Sequence, residues 1–166
     1  VDITHPDLSG NIWTNQREIP INGIDDDGNG YIDDHQGWDF VTGSPDPKPK
    51  FDEGFTEIAM HHGTIVAGVA AAEGANDKGV AGVTWNAKIM PLRVLNGSGE
   101  GNTIAVAQAI EYAVENGADI INMSFVGDSP SDTLAAAIED AYNAGVLVIA
   151  AAGNEDGDGV DMTSDP

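Results

Sequence analysis

The chain contains no cysteine. No disulfide can cross-link it, and the redox state of its compartment cannot be read from thiol usage. Cationic side chains are scarce: 6 lysines and arginines stand against 28 aspartates and glutamates, for a formal net charge of −22. That balance argues against a nucleic-acid partner, which needs basic patches to neutralise phosphates. It also argues against docking on an anionic membrane. No apolar run reaches the roughly 18 residues of a spanning helix, so no membrane span is expected. Aromatic residues are only 6%, while 21 glycines and many alanines point to close backbone packing.

What is present suits one domain. A length of 166 residues with 41% hydrophobic content can bury a sizeable core. The excess of carboxylates favours solubility and cation binding. It also destabilises the compact state by self-repulsion unless ions neutralise it, as a saline or calcium-rich setting would.

Periodicity sets the expected elements. Residues 1–12 read as a loop with a helical turn after Pro6, and residues 13–20 as polar and irregular. A short strand is expected at 38–41, followed by a Pro-rich surface loop over 42–52. Val66, Val69 and Ala70 give one apolar face to a helix expected over 62–73, with His62 at its start. Residues 88–95 read as a buried strand in which Pro91 signals an edge or a kink. A second helix starts near Asn102 or Thr103 and ends by Gly117. A strand covers 119–123, and a third helix covers 132–143, with Gly145 just past its end. Residues 146–150 form a continuous apolar strand, as in a parallel sheet covered on both faces. Strand, helix, strand, helix, strand is a run of right-handed crossovers, which implies an α/β fold with a parallel sheet. In such sheets sites form at the carboxyl ends of strands. Ser124, Asn154 and the loop Asn96-Gly97-Ser98-Gly99 all lie there.

The acidic stretch carries its own pattern. Asp25, Asp27, Asn29, Gly30, Tyr31 and Asp33 match the first nine positions of an EF-hand-type calcium loop. Asp25, Asp27 and Asn29 supply side-chain oxygens, Gly30 the sharp turn and Tyr31 a backbone carbonyl. Position 12 is Gln36 and not a bidentate glutamate, so Asp33 or Asp34 would complete the shell. Crowding these carboxylates without a cation is costly. The competing reading is a solvated acidic turn.

His62-Gly63-Thr64-Ile65-Val66-Ala67-Gly68 resembles the signature around the catalytic histidine of subtilisin-like serine proteases, the subtilases. Val1-Asp2-Ile3-Thr4-His5-Pro6-Asp7-Leu8 resembles the segment just after that family's catalytic aspartate. Ile121-Asn122-Met123-Ser124-Phe125 is similar to the strand end lining the substrate cleft. Ala150-Ala151-Ala152-Gly153-Asn154-Glu155 is similar to the segment with the oxyanion-hole asparagine. Four matches in the family's order, over residues 1 to 155, are a specific signal.

The resemblance implies a three-layer α/β/α fold, incomplete here, with residues 1–166 forming part of a peptidase domain. It implies a secreted serine endopeptidase that acts on peptide or protein substrates through a Ser-His-Asp triad. His62 would be the general base and acid, and Asn154 the oxyanion donor; both roles are borrowed from the family's worked mechanism. Gly97, Ser98 and Gly99 on one side, and Ser124, Phe125, Val126 and Gly127 on the other, would flank an extended substrate by strand addition. Val126 stands where the family has glycine and adds bulk at the mouth of the pocket, and His61 also replaces a usual glycine. The family's aspartate would fall three residues before Val1 and its serine after Asn154, so neither has a counterpart among these residues. The chain therefore reads as an internal fragment whose partner is the remainder of its own domain, and alone it is expected to turn over no substrate by the ordinary route. The alternative is a non-catalytic calcium-binding α/β module or inactive fragment derived from a subtilase. A second, weaker resemblance places a calcium loop at Asp7, Asn76 and carbonyls near Lys78 and Val80.

Overall fold

Among the described residues, short parallel strands alternate with three α-helices. The structure, a computed structural model, describes residues 1–51, 54–127 and 129–153. A 3-10 turn at Ser9–Asn11 precedes β1 (Trp38–Asp39), α1 (Glu57–Ala71), β2 (Leu92–Arg93), α2 (Thr103–Glu115), β3 (Ile120–Met123), α3 (Asp132–Asn143) and β4 (Leu147–Ala150). Among the described residues the strands form two parallel pairs, β1 with β2 and β3 with β4.

The helix starts follow from their caps. The side chains of Thr56, Asn102 and Ser131 accept from the backbone N–H groups of Ala59, Ala105 and Leu134, each satisfying a donor the first turn leaves open. For α2 and α3 the observed spans match the apolar spacing. For α1 the structure corrects the expected start. The helix begins at Glu57, five residues before His62, because Thr56 caps it and Glu57 puts a negative charge at the positive end of its dipole. His62 therefore sits in the second turn and not at the helix start.

The strand expected over 88–95 shortens to two residues. Pro91 has no N–H, and its carbonyl accepts from Trp38, so the ladder starts only at Leu92. Ile89 instead bridges Ile12. After Val94 the chain folds back on itself, with Leu95 bridging Gly101.

Two cores result. Val106, Ala107, Ile110, Met123, Ala137, Ala141 and Val146 are buried together, with Ile121, Val148, Val94 and Phe125 packed against them. This core lies between the β3–β4 pair and helices α2 and α3. Ile121, Met123 and Val148 point into it, while Ile120, Leu147 and Ile149 alternate onto the opposite face and stay 46–57% exposed. The second core joins Leu8 and Ile12 to Ala67 and Ala72 of the α1 region. It fixes the N-terminal loop against the helix that carries His62.

Candidate active site and acidic loop

Helix α1 meets both Ser124 and the 97–99 loop, two of the positions expected to line a substrate cleft. His62 is half-buried on it, and its Nε2 donates to the carbonyl oxygen of Ser124 at 2.7 Å. Ser124 directly follows β3, and Ala151 directly follows β4. Met123 and Ala150 are register partners, and Ala151 N–H donates to the Met123 carbonyl, so the two strand ends lie side by side. Asn122 Nδ2 donates to Ser124 Oγ at 2.8 Å. Phe125 packs on the α2–α3 core, while Val126 and Gly127 are exposed. One turn before His62, Ala59 faces the other segment: a Cβ on Gly99 would lie 3.5 Å from that of Ala59. Thr56 N–H donates to the Gly97 carbonyl at 2.9 Å. Positions 59 and 62 lie on one helix face. Gly99 and Ser124 thus meet the same face of α1.

The Asn96 side chain organises the 97–99 loop. Asn96 Oδ1 accepts from the N–H groups of Ser98 and Glu100 and from Ser98 Oγ. Gly99 sits at φ +87°, the left-handed region in which side-chain-bearing residues are strained. Thr64, two residues past His62, accepts from Asp2 N–H at 2.9 Å and ties the N-terminus to α1. His61 is exposed. Asn154 lies outside the described residues.

The acidic loop is ordered by its own carboxylates. Asp25 accepts from the N–H groups of Gly28, Asn29 and Gly30, and Gly30 makes the turn at φ +93°. Asp27 accepts from Asn29 N–H, from Asn15 Nδ2 and from Arg17. Asn29 Oδ1 accepts from Tyr31 N–H, and its Nδ2 donates to Asp34. Asp33 is not brought to this group: its two oxygens accept from the N–H groups of Asn22 and Gly23. The third member is Glu18, which spacing did not single out. Glu18, Asp25 and Asp27 each offer an oxygen, all within 4.8 Å of one another. No local pattern marks Glu18, which stands seven residues ahead of Asp25.

Asp34 anchors the loop to the body. It is fully buried and accepts from Asn15, from Asn29 and from Tyr112 Oη of α2, the last at 2.7 Å. Burial, and then the hydrogen bond to Asp34, push the Tyr112 phenol far above its ordinary value. Tyr31 meets Trp38, Phe40 and Tyr112 edge-to-face. At the second loop, Asp7 accepts from Asn76 Nδ2 and from Val80 N–H, both at 2.8 Å. These bonds hold its carboxyl below the usual range.

A sequence model described as the subtilase family matches residues 1–166. The chain belongs to the subtilase family. Its sequence is 37% identical to a thermophilic serine proteinase of Bacillus sp. (strain AK1) over 93% of this chain and 31% of that protein. It is 46% identical to subtilisin DY of Bacillus licheniformis over 67% of this chain and 40% of that protein. It is 42% identical to thermitase of Thermoactinomyces vulgaris over 71% and 39% respectively. The subtilase chain thus spans less than half the length of these relatives. Among the described residues, no helix of this subtilase is long and apolar enough to cross a membrane.

Proposed function

We propose that the chain forms part of the catalytic domain of a secreted, calcium-stabilised subtilisin-like serine endopeptidase. His62 takes the proton from the serine nucleophile and returns it to the leaving amine. Its bond to the Ser124 carbonyl places the proton on Nε2, so that bond must open before Nε2 can accept one. Asn154 donates its amide to the oxyanion. An extended peptide lies between residues 97–99 and 124–127, and Val126 biases the pocket before the cut toward small side chains. The aspartate and serine of the triad have no counterpart within these residues. A calcium ion held at Asp25, Asp27, Asn29 and Tyr31 would brace the acidic loop, and the all-oxygen donor set suits that hard cation.

The observation that carries this reading is the 2.7 Å contact of His62 with the Ser124 carbonyl. It sets a base beside the strand end where a substrate backbone would pair. The test is peptide hydrolysis by the full-length protein and its His62→Ala variant, with a substrate panel varied at the residue before the cut. Turnover is expected to fall by on the order of a million-fold, the magnitude known for the triad histidine of subtilisin itself. Activity within tenfold of wild type, with the fold retained, overturns the assignment. A flat response to residue size in the panel overturns the role given to Val126.

A further inference from the structure

One carboxylate oxygen of the acidic cluster has no counterpart among its hydrogen bonds. Glu18 is 5% exposed. Its Oε1 accepts from the N–H groups of Asp26 and Asp27 at 2.8 and 3.1 Å. Its Oε2 is buried and has no hydrogen-bond partner among the described residues. Both oxygens of Asp25 and both of Asp27 accept donors. Glu18 Oε2 is therefore the one oxygen of the three carboxylates left unsatisfied. A buried carboxylate oxygen without a donor, on a side chain clustered with two other carboxylates, is among the more costly arrangements a fold can keep.

We propose that Glu18 is a direct ligand of a calcium ion held with Asp25 and Asp27, supplying the carboxylate that the loop lacks at position 12. The inference rests on the reading of the acidic loop as a calcium site and adds a ligand from outside it. Charge supports a divalent ion. The three carboxylates carry three negative charges, and Arg17 pairs with Asp27 at 3.1 Å. The two charges left over match one divalent cation. The spacing admits calcium. Ligand oxygens at 2.3–2.6 Å from calcium can stand up to about 4.6–5.2 Å apart across the shell. The three carboxylates already meet that limit, with their nearest oxygens within 4.8 Å. Asp25 Oδ2 and Asp27 Oδ1 each accept a single N–H and keep a second lone pair beside it. The two backbone bonds to Oε1 hold the Glu18 side chain in place before any ion arrives. Asp33, engaged by Asn22 and Gly23, stands outside this arrangement.

The experiment uses the full-length protein, blocked with a serine-directed inhibitor against self-digestion and stripped with a chelator. Calcium titration calorimetry and melting curves compare wild type with Glu18→Gln, Glu18→Asp, Asp33→Asn and the double variant Asp25→Asn, Asp27→Asn. One binding event, lost in the double variant, is expected to weaken more than about tenfold in both Glu18 variants, since even outer-shell changes cost that much. Asp33→Asn should shift it less than about threefold. Glu18→Gln should melt at or above wild type without calcium and below it in saturating calcium. That reversal of sign comes from removing a buried charge that only the ion satisfies. If the double variant loses the event and both Glu18 variants bind like wild type, Glu18 is not a ligand, though the loop still binds calcium. If no event disappears in the double variant, the loop reading fails and the proposal with it.

Discussion

Single residues in this chain are held mostly by charge-assisted hydrogen bonds, and Asp39 is the clearest case. Its side chain is fully buried, with Arg93 at 2.8 Å and Lys50 at 2.7 Å. Burial alone would raise its carboxyl, but the bonds from Lys50, Arg93 and Thr42 outweigh that and hold it below the usual range. A carboxyl with a lowered folded pKa adds stability that is fully present above its unfolded value of about 3.9 and lost as pH falls through the folded one. Asp39→Asn removes the buried carboxylate that Lys50 and Arg93 share, at a cost of about 3 kcal/mol near neutrality. The deficit should stay constant above about pH 5 and shrink below pH 4. Urea midpoints of wild type and variant measured from pH 3 to 8 check this. A deficit that widens on acidification would mean that Asp39 is not a stabilising carboxylate.

At the level of elements, capping and periodicity explain what the sequence disclosed. Apolar spacing and the closing glycines Gly117 and Gly145 made α2 and α3 legible to within a residue or two. The α1 start was hidden because the first turn shows an exposed Ile58 and no apolar face until Met60. The cap there should be worth as much as any other: Thr56→Ala is expected to cost about 1 kcal/mol. A change in thermal midpoint equivalent to less than a few tenths of that would remove Thr56 from the role. The truncation of β2 was half legible, since Pro91 announced a break but not that its carbonyl would receive Trp38. The strand-end rule pointed to Ser124 and the 97–99 loop, and both lie against α1 or its cap. The third carboxylate of the acidic loop was not legible. Its approach depends on two backbone bonds formed only once residues 18 to 27 fold back on themselves. No spacing rule reaches that contact. The anchoring of Asp34 by Tyr112, across 78 residues, escaped for the same reason.

Over the whole molecule, the net charge of −22 sets a repulsion that the local pairs do not remove. Only six cationic side chains are available, and two of them, Lys50 and Arg93, are spent on Asp39. Mobile cations must therefore do two separable jobs. A divalent ion at the acidic loop acts at one place and saturates, whereas monovalent salt screens the remaining field without saturating sharply. At about 0.15 M salt the screening length is about 8 Å, and at 1 M about 3 Å, so repulsion between surface carboxylates fades across that range. The melting temperature in saturating calcium is accordingly expected to rise further as sodium chloride increases from 0.05 to about 1 M. Without calcium the same series should start lower and stay lower, because screening does not replace a cation bound at Glu18, Asp25 and Asp27. Melting curves over the two salt series decide it. If calcium adds nothing once sodium chloride reaches 1 M, the loop is only part of a diffuse acidic surface. A constant offset between the two series would instead mean that the chain binds its ion at a specific place and tolerates its remaining charge through the solvent.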